Sequence, residues 1–320
     1  MIPFPYLSKG LNALARAHRL GPMAGHLGAA VVAGYFVGEQ KPDLEPEVNR
    51  GIEGDLKKIM EGGSLFGSKM SKAPTVRDSA LFEPFPEEKA DESQIDRIAE
   101  ALTKNIGELR ESGHNVIFAS IAIHALKEHP EFATPAIIEG ICKLIHLFDS
   151  SHPGSGYYGK EKGRIYGNKV TLSAEEEANT PAYTNLEGMV DAVFDALVRQ
   201  DPKLHQQGYG GLIHVNNHAA AITDLAQYGY SDLVPAAISS HRRHLQLLQN
   251  LPNVADEFGP APFSADSPFT AAYWTSGKVP YDRALLTHRV KTMFGFHEMA
   301  EAVGNDHKEI LAGEKLRYLM

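Results

Sequence analysis

Cysteine is nearly absent from the 320-residue chain, where Cys142 stands alone. One thiol closes no intrachain disulfide and supports no cysteine-based metal cluster. Basic charge is short as well, with 31 Lys and Arg against 40 Asp and Glu, a formal net charge of -9. Phosphates need a basic face, so this balance argues against a nucleic-acid partner. It gives anionic membrane no attraction either. Several catalytic signatures are missing. There is no G-x-G-x-x-G after a strand, no G-x-x-x-x-G-K-[ST] and no G-x-S-x-G. Residues 297–301 read HEMAE, not H-E-x-x-H, so the zinc-protease motif is absent too. No alternating run of Val, Ile or Thr bounded by hairpin turns signals a strand.

A long membrane-spanning run is also lacking. Residues 21–38, GPMAGHLGAAVVAGYFVG, follow Arg16 and Arg19 and imitate a signal peptide or a span. The run is short for a span, holds five glycines and carries His26. It reads as a buried helix of a soluble protein. A lone cysteine fits a reducing compartment, so a cytoplasmic location is expected.

Histidine is abundant, with 15 in the chain. Helical periodicity is widespread: in 93–111, Ile95, Ile98, Ala99, Leu102, Ile106 and Leu109 recur at helical spacing. Similar patterns run through 133–148, 184–199, 212–228, 232–249 and 283–303. An all-α fold is predicted. Three helix-poor stretches, 62–92, 149–182 and 252–281, carry aromatics that include Phe66, Tyr157, Tyr158 and Trp274. Loops this long and aromatic fold over a mouth or pack on the surface.

A degenerate repeat organises the helices. Segments begin at His26 (HLGAAVVAGYFVGEQKPDL), His114 (HNVIFASIAIHALKEHPEF), His218 (HAAAITDLAQYGYSDL) and His297 (HEMAEAVGNDHKEIL). In the first two, Pro42 and Pro130 fall at the same offset. A fifth segment from Leu186 ends the same way at Pro202 but has Leu in place of His. An apolar helix paired with a charged outer helix (45–61, 133–148, 232–249) is a repeated helical hairpin. Such hairpins build a solenoid or a closed α/α toroid. A toroid is preferred, because both ends of the chain contribute a His-headed helix. One domain over 1–320 is expected, with His26, His114, His218 and His297 converging as catalytic groups at one end of a central cavity. Its walls would be apolar, from Val31, Ile117, Ile121 and Ala221.

Two chemistries suit such a cavity. His214 and His218 lie four apart on one helix face, and His297 and Glu301 repeat that spacing with a carboxylate. Together they form a candidate site for zinc or iron. Alternatively, half-buried histidines move protons without a metal, assisted by Tyr157, Tyr158, Glu298 or Glu301. Against both stands the plain alternative that each histidine only caps or packs. The HRRH of 241–244 reads as a solvated helix face, and Cys142 as packing.

The stretches HVNNHAAAITDLAQYGYSDLVPAAISSHRRHL (214–245) and GHNVIFASIAIHALKEHP (113–130) resemble the questin oxidase-like family. The resemblance covers about a fifth of the chain and departs from the family in 149–182 and in the order of segments. It implies an all-α fold, oxygenation of aromatic polyketide ketones, and NADPH as cofactor. By motif it marks Asn217, His218 and His114. The expected protein is an oxidoreductase acting on a small apolar or aromatic molecule, held by Asn217, Ile117, Ile121, Tyr157 and Tyr158. A metal-dependent or acid/base lyase, isomerase or cyclase is the alternative, then a non-catalytic binding or scaffold protein. Homo-oligomerisation is left open.

Overall fold

The protein is described here from a computed structural model, over residues 1–62, 78–279, 283–304 and 306–320. Phe66 and the centre of the 62–92 loop lie outside the described residues. The helices in chain order are α1 (Pro5–Arg16), α2 (Gly25–Gln40), α3 (Pro46–Met60), α4 (Asp96–Thr103), α5 (His114–Glu128) and α6 (Pro135–His146). Two short strands follow, β1 (Ser155–Tyr157) and β2 (Arg164–Tyr166). Then come α7 (Ala174–Ala178), α8 (Leu186–Val198), α9 (Gly211–Gln227), α10 (Val234–Gln249), α11 (Ala255–Phe258), α12 (Ala271–Thr275), α13 (Arg283–Val303) and α14 (Asp306–Lys315). The fold is all-α. No helix among the described residues is long and apolar enough to cross a membrane.

The chain forms two compact units. The first comprises residues 1–102, 118–148 and 268–294. Here α2 is buried from Gly25 to Gly38, because it presents Ala, Gly and Val on every side and has no polar stripe. Helix α1, outside the expected set, packs on α2 and α6. Glycines allow that closeness. A Cβ on Gly28 would lie 2.6 Å from the Gly10 carbonyl oxygen, and one on Gly140 2.8 Å from the Ala15 carbonyl carbon. Helix α3 turns Val48, Ile52, Leu56 and Ile59 inward at helical spacing, with Asp55 among them. Asp55 Oδ2 meets Arg289 Nε of α13 at 2.8 Å, both side chains being buried. The Arg289 guanidinium also donates to the Tyr273 hydroxyl at 2.5 Å. Burial outweighs the neighbouring cation and pushes the Asp55 carboxyl up to about 6. Cys142 is buried, with Sγ 3.5 Å from the Arg97 carbonyl oxygen, and burial raises its thiol.

The second unit comprises residues 103–117, 149–267 and 295–320. Helices α8, α9 and α10 pack in succession, and α14 lies on α8. Two expectations are corrected here. The helix read over 93–111 stops at Thr103. Beyond it, the buried Asn105 side chain donates to Asp149 at 2.7 Å and accepts from Asn115 at 2.8 Å. Such side-chain bonds compete with the helical ladder. The strand-free expectation also fails locally, since β1 and β2 pair antiparallel with Gly156 opposite Ile165. Three-residue strands carry too little alternation to read. Their turn depends on Gly159 and Gly163, at φ +85° and +64°.

Candidate functional site

Two left-handed turns frame a histidine cluster in the second unit. Glu111, Ser112 and Gly113 precede His114, the first residue of α5, at φ +41°, +59° and +86°. Non-glycine residues in this region cost on the order of 1–3 kcal/mol each, and persist only where surrounding bonds fix them. The Glu111 and Ser112 amides donate to the carbonyls of His152 (2.8 Å) and Pro153 (3.1 Å). The Glu111 carboxylate lies 3.1 Å from His152 Nε2. Burial raises that carboxyl, and His152 opposes the rise. Tyr209, Gly210 and Gly211 make the second turn, ahead of α9, at φ +49°, +71° and +66°. In each turn a glycine leaves room for an imidazole. A Cβ on Gly113 would lie 2.6 Å from His218 Cγ, and one on Gly210 2.7 Å from His214 Cβ.

The rings fill the space those turns leave. His114 and His214 meet edge to face, with centroids 4.6 Å apart. His114 Nδ1 is hydrogen-bonded at the Glu111 carbonyl. His218 is fully buried, its centroid 5.2 Å from that of His241 and 5.6 Å from that of His244. His241 and His244 overturn the solvated-face expectation for HRRH. Both are fully buried, because their three-residue spacing turns them to the inner face of α10. Arg242 and Arg243 are half-buried, and Arg243 donates to the Val170 carbonyl at 2.7 Å.

Hydrogen-bond partners fix the tautomers. His241 Nε2 faces the Val215 carbonyl at 3.1 Å, so it carries the proton, and Nδ1 accepts from the Tyr183 hydroxyl at 2.7 Å. His244 Nε2 donates to the Tyr209 carbonyl at 2.8 Å, which leaves Nδ1 a lone pair. His218 Nδ1, 3.4 Å from His244 Nδ1, must therefore be the donor between the two. His218 Nε2 is left with a bare lone pair and no hydrogen-bond partner among the described residues. Burial keeps all three rings neutral. It lowers His241 to about 3 and His244 to about 4. It holds His218 well below the usual range, reinforced by His241, His244 and His114.

The other predicted residues are placed differently. His218 and His297 do not head their helices: His218 sits mid-way along α9 and His297 in the C-terminal half of α13. The chain turns into α9 at Gly211, so the helix is already running at His218. His297 Nδ1 is 3.8 Å from Glu301, whose side chain is 73% exposed. The proposed metal set of His214, His218, His297 and Glu301 is not assembled. Within either unit alone, among the described residues, no three His, Cys, Asp or Glu ligand atoms come within 4.8 Å of one another. Tyr157 donates to Glu257 at 2.5 Å, and the Tyr158 and Tyr209 hydroxyls lie 3.2 Å apart. Ile117 and Asn217 are buried in the second unit, where the Asn217 Oδ1 accepts from Asn216 at 3.2 Å. Ile121 and His26 are buried in the first unit. Sequence reading missed His241, His244, Tyr183 and Tyr209. The signals available were the three-residue histidine spacing on an amphipathic helix and the GYGG run of 208–211. No protein-family model, no curated protein and no solved structure matches the chain.

Proposed function

We propose that the second unit carries the active centre of an enzyme that takes a small, largely apolar or aromatic molecule bearing a hydroxyl or N–H donor. One observation supports this above the rest, the buried lone pair of His218 Nε2. An unsatisfied buried acceptor costs about 1–3 kcal/mol, and an apolar side chain of similar size would avoid that cost. The two left-handed turns add strain at the same place. Such expense is typical of a site that meets a ligand. The low proton affinity of His218 makes it a weak general base at neutral pH and a good neutral acceptor. It would orient a substrate hydroxyl, while the Tyr209 carbonyl, acting through His244, holds the ring's tautomer.

Oxidoreductase chemistry, with oxygenation of an aromatic ketone, is the reaction class supported by the resemblance of 113–130 and 214–245. The groups facing His218 are neutral imidazoles, which offer no pairing for the diphosphate of NADPH and so do not fit that cofactor. The same holds for zinc or iron at the dispersed His214, His218, His297 and Glu301. The closed α/α toroid belongs to this proposal too, supported by the hairpins α2–α3 and α9–α10.

Binding of hydroxylated aromatic ketones should be measured by calorimetry on wild type and on His218→Phe, with NADPH oxidation and oxygen uptake followed in parallel. At least one ketone is expected to bind, with affinity falling at least tenfold in a folded His218→Phe. A folded His218→Phe that binds as tightly as wild type overturns the assignment. Histidine variants that change melting temperature alone would instead mark a structural cluster.

A further inference from the structure

Lys291 lies in α13 within the first unit and is 3% exposed. Its Nζ is 2.5 Å from His26 Nδ1 of α2 and 5.8 Å from the Phe118 ring centroid. His288 stacks against His26 with centroids 4.5 Å apart. Among the described residues no carboxylate pairs with Lys291. The contrast lies two residues away. Arg289 is as deeply buried, yet it has Asp55 at 2.8 Å and the Tyr273 hydroxyl at 2.5 Å.

A buried ammonium without a counter-ion is unfavourable, so the group gives up its proton instead. Burial lowers the Lys291 amine to about 7. A position that only filled space would be served by Met or Leu, with no ammonium to desolvate. The amine thus has a substantial unprotonated, nucleophilic fraction at neutral pH, beside two imidazoles and an aromatic ring. Desolvated lysines of this kind attack carbonyl carbon.

We propose that Lys291 Nζ is a covalent site of the first unit, forming a Schiff base with a small aldehyde or ketone whose apolar part packs on Phe118. The Nζ lone pair forms the N–C bond as the carbonyl π bond breaks and its electrons pass to oxygen. One amine proton moves to that oxygen through the adjacent His26, giving a neutral carbinolamine. A second proton, taken from solvent, lets the hydroxyl leave as water, and the nitrogen lone pair closes the C=N bond of a protonated imine. No oxidant or reductant is consumed. The residues that carry this chemistry, Lys291, His26, His288 and Phe118, all belong to the first unit.

The test uses the folded wild-type chain with limiting acetaldehyde and sodium cyanoborohydride at pH 7, which traps an imine as an ethylated lysine. Peptide mass spectrometry then ranks the lysines by rate. Lys291 is expected to be ethylated at least tenfold faster than the exposed Lys89 and Lys104. Labelling of Lys89 and Lys104 with Lys291 untouched, or modified only after denaturation, overturns the proposal. Because the readout needs no substitution, misfolding cannot imitate either result.

Discussion

Gly113 serves the histidine cluster twice, through its left-handed φ of +86° and through the missing Cβ that admits the His218 ring. An alanine there meets both a strained backbone and an overpacked ring. Gly113→Ala is expected to cost about 2 kcal/mol or more of stability, measured by urea unfolding. It should also displace His218, so ligand binding falls along with stability. Gly159, which has a similar φ of +85° but open space around its Cβ position, serves as the control. Gly159→Ala should cost only the backbone strain and leave binding intact. At Asp55 the buried pair with Arg289 matters less for its own strength than for what its loss leaves behind. Asp55→Asn strands a fully buried guanidinium and is expected to destabilise by about 3–5 kcal/mol in the same assay.

Among the helices, the approach of α1 to α2 and α6 depends on small residues. Gly28 and Gly140 leave no room for a methyl group, and their neighbours are backbone atoms that cannot rotate away. Gly28→Ala and Gly140→Ala are each expected to lower stability by about 1–3 kcal/mol, although alanine favours an isolated helix by roughly 1 kcal/mol. A raised melting temperature in either variant would show that the helices can separate at no cost. Pairings of this kind also explain why α1 escaped sequence reading. Its buried face includes Gly10, Asn12 and Arg16, which do not register as apolar.

Across the whole molecule, buried titratable groups set the response to pH. His218, His241 and His244 take up protons in the unfolded chain near 6.5 but resist them when folded. Their stabilising contribution is complete above about pH 6.5 and is lost as pH falls toward 3, by about 1.4 kcal/mol per pH unit for each ring. Lys291 acts with the same sign at higher pH, its contribution complete above 10.5 and lost as pH falls through about 7. Asp55 opposes them over a narrower window: its carboxyl is raised to about 6, so its contribution is lost as pH rises from 3.8 through 6. Three rings outweigh one carboxyl, so stability should fall steeply below pH 6. Urea titrations at half-unit steps, on wild type and on His241→Phe, should show a shallower fall in the variant. Lys291→Met should separately flatten the slope between pH 7 and 10.

Hydrophobic periodicity was enough to determine the all-α class and the position of most long helices. Burial of an apolar stripe is a local property of the chain, and α2, α6, α8, α9, α10 and α13 each carry one of regular period or full circumference. It also picked out His114 and His218, because both stand in runs where their neighbours must be buried. Sequence reading failed where a residue's surroundings come from distant parts of the chain. His241 and His244 look solvated beside two arginines, and become buried only because α9 lies against α10. The tautomer of His241 depends on a phenol and a carbonyl from residues 183 and 215, and that of His218 on the Tyr209 carbonyl acting through His244. Lys291 reads as one more charged residue in an amphipathic stretch until α2 and Phe118 enclose it. The sequence by itself determined which segments coil and which faces seek the interior, since those depend on spacing along one helix. Only the tertiary structure decided which polar groups lose their water and which partners they receive in exchange, because desolvation is set by everything packed around a group.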